Sequence, residues 1–159
     1  MPTPTPTYVT QATAWQLRPF ADLHVSELQA LLAARSEVFV VEQQCIFQDI
    51  DGADPQALHL MAWQAGALVA YARCFPAGVK FTEASIGRVL TRLSVRGQGL
   101  GHVLIEKARE AIAQTWGEQA IRIGAQTRLA HFYAQHGYRD VGQPYVEDGI
   151  DHLEMVWTP

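Results

Sequence analysis

Cysteine is scarce in this sequence: Cys45 and Cys74 are the only two in 159 residues. Two thiols cannot make a disulfide framework, and no C-x-x-C spacing offers a metal site. Long apolar runs are absent as well. No stretch approaches the roughly 18 apolar residues that a membrane-spanning helix needs. Basic residues do not dominate: 12 Lys and Arg stand against 16 Asp and Glu, a formal net charge of −4. A general nucleic-acid binder carries a basic face, so neither nucleic acid nor membrane is expected as a partner. The opening MPTPTPTYVT has no basic start and no apolar run, and does not read as a signal peptide. The expectation is a cytoplasmic protein without a metal.

What is present suits one globular domain. Hydrophobic residues make up 48%, enough for a sizeable core. Alternating Pro and Thr disfavour helix and bring little apolar mass, so residues 1–12 read as a flexible tail and 13–159 as the domain. Strands are expected at AWQLRPF, ALHLMAW, ALVAYARCF, SIGRVLTRL and AIRIGAQ, with two more around a turn at Asp148-Gly149. A helix is expected over HVSELQALLAARSEVFVVEQ, with Ser26 as its cap and a stripe of Leu28, Leu31, Leu32, Arg35 and Phe39. Its β-branched end should loosen. A second helix should run to about Trp116, packing through Leu100, Val103, Leu104, Ala108, Ala111 and Ile112. Strands and helices mix unevenly, so the fold class is α+β, a twisted mixed sheet covered by helices on both faces.

The densest local signal is Arg96-Gly97-Gln98-Gly99-Leu100-Gly101-His102, where a strand feeds into a helix. Glycine permits positive φ and close backbone approach to a ligand. The first N–H groups of a helix have no internal partner and favour an anion. Arg96 adds a full charge, so a phosphate or pyrophosphate is the expected guest. Nucleotide hydrolysis is not expected, because Gly-His-Val stands where a P-loop needs Gly-Lys-Ser/Thr. Glycines spaced two apart, without a βαβ series, do not make a dinucleotide fingerprint either.

Arg96-x-x-Gly99-x-Gly101 after IGRVLT resembles the pyrophosphate loop of the GCN5-related N-acetyltransferases (GNAT). The later Phe132-Tyr133 and Gly137-Tyr138 resemble that family's second signature. The segments RSEVFVVEQQCIFQDIDGADPQALHL, RGQGLG, GAQTRLAHFYAQHGY and YVEDGIDHLEM are similar to the ElaA-like subfamily. The likeness runs from about residue 15 to 157. It implies a single GNAT-like domain with a mainly antiparallel sheet, acetyl-coenzyme A as acetyl donor, and a small-molecule or peptide amine as acceptor. A homodimer is common among such proteins.

The resemblance also implies roles. Residues 96–102 would hold the pyrophosphate, and the backbone of Val89 and Thr91 the pantetheine arm. Tyr133 would protonate the departing thiolate, since a phenol near pKa 10 can share its proton with a thiolate whose acid lies near 8.5. Many relatives carry a glutamate base near this strand; here Arg88 and Arg92 stand instead. The base is therefore open, with Glu42, His59 and His152 as candidates beside the acids Asp49 and Asp51. A non-catalytic coenzyme A binding module is the alternative, needing the loop but not Tyr133.

Arg35 lies on an apolar stripe and so needs a partner. It either pairs with Asp49 or Asp51 or holds a substrate carboxylate. Counted from Asp49, DIDGAD lacks the glycine and glutamate of an EF-hand and reads as an acidic loop over the acceptor pocket. With Asp49, Asp51 and Asp54 early and Glu147, Asp148 and Asp151 late, the acceptor is expected to be a cationic amine.

Overall fold

The computed structural model of the chain describes residues 12–159, so all but the last residue of the expected tail lies outside the described residues. Four strands form one antiparallel sheet in sequence order: β1 (Ala14–Pro19), β2 (Leu58–Gln64), β3 (Ala67–Phe75) and β4 (Ser85–Thr91). A second antiparallel sheet holds β5 (Ile121–Gln126), β8 (Ile150–Trp157) and the two-residue β6 (Arg139–Asp140), with β7 (Tyr145–Glu147) also on β8. The final segment thus has three strands rather than the expected two. Asp148 and Gly149 both take positive φ, 50° and 76°, which makes the two-residue turn from β7 to β8.

The two sheets meet at one point. Ala84 bridges Ile121 in parallel, and Arg122 N–H donates to the Ala84 carbonyl at 2.8 Å. Beyond it β4 and β5 run the same way without pairing. The edge of β4 that faces β5 therefore has no strand partner, and a cleft opens between the strands.

Helices cover both faces. α1 (Val25–Arg35) begins at His24, not at Ser26, because Glu27 reaches back to the His24 N–H at 3.0 Å. The helix then widens into a π-helical stretch, Ser36–Glu42. This is the loosening that the β-branched end suggested. Leu31, Ala34 and Val38 pack there on Met61, Leu68, Tyr71 and Leu90. On the opposite face α2 (Leu100–Trp116) buries Leu104, Ile105, Ala108 and Ile112 against Ala72, Cys74, Ile86 and Ile121. Val103, expected in that stripe, is instead exposed, and Ile105 takes its place in the core. A short α3 (Ala130–Ala134) sets Tyr133 into the same core.

Candidate active site

A cleft of about 800 Å³ occupies the gap between β4 and β5. Val89 and Thr91 of β4 line one side, Gly124 and Gln126 of β5 the other, with Tyr133, Tyr145 and His152 closing around them. β4 is bulged inside it. Tyr71 stands opposite Leu90 and Arg73 opposite Gly87, so Ala72 faces two residues, Arg88 and Val89. Arg88 absorbs the extra residue at φ 50°, which re-aims the strand at mid-cleft.

At the C-terminal end of β4 the glycine loop meets α2. Gly97 and Gly99 adopt φ 81° and 79°, and a Cβ on either would point into open space. The first helical bond runs from Val103 N–H to the Gly99 carbonyl at 3.4 Å. Among the described residues, the N–H groups from Gly97 to His102 have no acceptor. Six free donors at a helix N-terminus suit a multiply charged anion. Arg96, however, is already engaged. Its Nε and Nη2 donate to the Thr91 carbonyl at 3.0 and 2.8 Å, Nη2 donates to Glu42 at 3.1 Å, and Nη1 closes on the same carboxylate. The structure thus places Glu42, a candidate base, beside the cation of the glycine loop. His102 turns aside, its Nδ1 2.8 Å from His136 Nε2.

Tyr133 is 7% exposed and reaches the cleft wall. Burial pushes its phenol up to about 12, so it stays protonated at working pH. His152 also lines the cleft, stacked on Tyr145 with ring centroids 5.4 Å apart. Its Nδ1 lies 2.7 Å from the Ile150 carbonyl, which only accepts, so Nδ1 carries the proton. The Nε2 lone pair is left free, 3.8 Å from Glu147. Gly124 is glycine here because a Cβ would stand 2.5 Å from the Tyr145 hydroxyl.

The other candidates are placed elsewhere. His59 is fully buried, outside the cleft. Its Nε2 faces the Asp54 carbonyl at 2.9 Å and must donate, so Nδ1 accepts from the Tyr71 hydroxyl at 2.7 Å. Burial holds the ring below the usual histidine range, against the pull of Asp54. It is a neutral core residue with no route to a substrate.

Arg35 is also fully buried. It donates to the Asp49 carboxylate at 2.9 Å, the Asp49 carbonyl at 3.1 Å and the Asp54 carboxylate at 2.7 Å. Nothing of it reaches the cleft, so it ties the loop to α1 and leaves no group for a substrate carboxylate. Arg73, buried in β3, holds Asp51 at 2.6 Å and Asp54 at 2.9 Å. Arg88 holds Asp49 at 2.7 Å, and Lys80 holds Asp51 at 3.2 Å. Hydrogen bonds from Arg73 hold the Asp51 carboxyl well below its ordinary range despite burial. For Asp54, burial pushes up, but Arg35 and Arg73 outweigh it and the net shift is downward. The early acids are therefore not a bare acidic lid: three carboxylates meet four cations, one positive charge in surplus. Asp148 is exposed at the cleft edge, its carbonyl 3.2 Å from Cys45 Sγ. Arg73 and Lys80 are not among the residues expected at the site; an arginine inside the apolar strand ALVAYARCF is the signal for the first, and Lys80 sits in the link before β4.

A splayed pair of parallel strands, a bulge, a donor-rich helix start and a buried tyrosine meet at this one cleft. A family model described as an acetyltransferase (GNAT) domain matches residues 19–159, and the chain belongs to that family. It is similar to Protein ElaA of Escherichia coli, 40% identical over 144 residues that cover 89% of this chain and 94% of that one. A UPF0039 protein of Synechocystis is 38% identical over 144 residues, covering 90% and 94%. Among solved structures, an acyl-CoA N-acyltransferase from Pseudomonas aeruginosa superposes with a TM-score of 0.88 at 40% identity, covering 92% and 100%. The crystal structure of E. coli ElaA gives 0.86 at 38%, covering 92% and 99%. No helix among the described residues is long and apolar enough to cross a membrane.

Proposed function

We propose that the chain transfers an acetyl group from acetyl-coenzyme A directly to the amine of a small molecule or peptide. The observation that carries this reading is that one cleft holds both a protonated phenol, Tyr133, and a histidine, His152, whose Nε2 lone pair is free. Acetyl-coenzyme A, when bound, supplies the acyl thioester and the thiol leaving group. The N–H groups from Gly97 to His102, with Arg96, suit its pyrophosphate, and the edge of β4 at Val89 and Thr91, which has no strand partner though Arg96 holds the Thr91 carbonyl, suits its peptide-like arm.

An amine arrives charged near neutral pH and must lose a proton to attack. His152 Nε2 takes that proton, directly or through water, with the Glu147 carboxylate 3.8 Å away. Tyr133 acts on the leaving side. A phenol near 12 does not fully surrender its proton to a thiolate whose acid lies near 8.5. It donates a charge-assisted hydrogen bond instead, which stabilises the thiolate as it departs.

The test is a screen of amines with acetyl-coenzyme A, read by release of free thiol and by product mass. Thiol release that depends on added amine supports the proposal. Tight coenzyme binding with no amine modified would return the chain to the binding-module reading.

A further inference from the structure

The cleft continues past the β4 bulge, away from the glycine loop, and its chemistry changes there. Phe47, Phe75 and Phe81 form an apolar wall. Beside the buried Arg73, 5.0 Å from the Phe75 ring, two further cations stand over it: Arg88 lies 5.5 Å from the Phe47 ring and Lys80 lies 5.4 Å from the Phe75 ring. Both are partly exposed, at 23% and 34%.

Asp49, the partner of Arg88, is buried and already bound by Arg35, and Asp51, the partner of Lys80, is saturated. Asp51 already accepts from the Ala53 N–H, from two nitrogens of Arg73 and from Lys80. A carboxylate offers about four lone-pair sites, so Asp51 has none left. The cations do have donors left. Lys80 makes one of its three possible bonds, and Arg88 Nη1 makes none among the described residues. This end of the cleft is thus short of acceptors and carries surplus positive charge. The other wall is opposite in sign, with Glu147 and Asp148 exposed beside His152.

Resting on the acetyl-transfer reading, we propose that the acceptor is an amine that also bears a carboxylate, in the manner of an apolar amino acid. Its carboxylate is received by Lys80 and Arg88, its apolar part by the three phenylalanines, and its amine lies toward His152 and Glu147. This replaces the cationic acceptor expected from the acidic residue count, because the early acids are consumed by Arg35, Arg73, Arg88 and Lys80.

The experiment compares amines that differ only in the carboxylate: phenylalanine with phenethylamine, and methionine with 3-(methylthio)propylamine. With fixed acetyl-coenzyme A, kcat/KM for the amino acid should exceed that for its decarboxylated partner by about tenfold or more, the worth of one charge-assisted hydrogen bond. In Lys80→Met, a substitution on an exposed loop, that ratio should shrink toward one while the far-ultraviolet dichroism stays unchanged. Arg88→Met should do the same, and Arg88→Lys should restore part of the preference. Calorimetric titration of phenylalanine into coenzyme A-saturated protein gives a readout without turnover, with binding weakened in Lys80→Met. An equal or better decarboxylated amine, or a ratio untouched by Lys80→Met, overturns the proposal. If no amine is acetylated, the transfer reading fails, and the phenylalanine titration alone decides this one: heat lost in Lys80→Met upholds it, and no binding sinks it.

Discussion

Glu42 grips Arg96 at the mouth of the cleft, with Oε2 3.1 Å from Nη2. The one full charge of the glycine loop is therefore held by a carboxylate that a pyrophosphate must displace. Both side chains are about one-third exposed, so their pairing is worth at most about 1 kcal/mol. Glu42→Gln removes the competitor and should tighten coenzyme A binding by up to about fivefold, with kcat little changed. Calorimetry and steady-state rates on one preparation check this. A large fall in kcat with unchanged affinity would instead make Glu42 the base.

Gly99 takes φ 79° as the residue before α2, a conformation that branched side chains resist. A Cβ there meets no protein atom within 4 Å, so the fold has room for it. The strain falls on the loop and the new methyls on the anion site. Gly99→Val should keep the fold and weaken acetyl-coenzyme A binding by about tenfold or more, as measured by calorimetry.

Arg35 is the hub that joins α1 to Asp49 and Asp54. Arg35→Met leaves buried carboxylates short of their cation and should cost about 3–5 kcal/mol in urea unfolding. The network also sets acid stability. Asp51 and Asp54 have carboxyls lowered on folding. Their contribution is present above the unfolded value near 3.9 and is lost as pH falls below it, toward the folded pKa. Unfolding free energy should therefore drop below about pH 4. The drop should be shallower in Arg35→Met, which removes a cation that lowers Asp54.

Much of this arrangement was legible in the chain. Glycines at 97, 99 and 101 after a strand marked the turn into α2, where Gly97 and Gly99 take positive φ and the N–H groups are unpaired. Asp148-Gly149 named a two-residue hairpin. What could not be read is long-range pairing. Asp49, Asp51 and Asp54 looked like a solvent-facing acidic loop, since nothing local reveals that Arg73 and Arg88 point at them from neighbouring strands. His59 and His152 are equally plausible bases as letters. Only β2 and β8 decide that one is sealed in the core and the other opens on the cleft. The bulge at Arg88 leaves no mark in composition, since a non-glycine residue carries the positive φ.

In the proposed mechanism Tyr133 stabilises the leaving thiolate, and Tyr133→Phe removes only that hydroxyl. kcat should fall about 10²-fold with coenzyme affinity nearly kept. Because burial lifts the phenol to about 12, its ionisation should produce no descending limb in the kcat–pH profile below about pH 11. A limb near pH 9 to 10 that vanishes in Tyr133→Phe would show a phenol far less shielded than its burial implies.

Direct transfer requires both substrates in the cleft together, yet Cys45 also lines it, and a thiol is chemically able to carry the acyl group between them. The two routes differ in kinetics and in mass. Initial rates measured while varying acetyl-coenzyme A at several fixed concentrations of an accepted amine should give intersecting double-reciprocal lines. Protein incubated with acetyl-coenzyme A alone should keep its intact mass. Parallel lines, with one acetyl group gained at Cys45 before any amine is added, would contradict direct attack and replace it with a covalent relay.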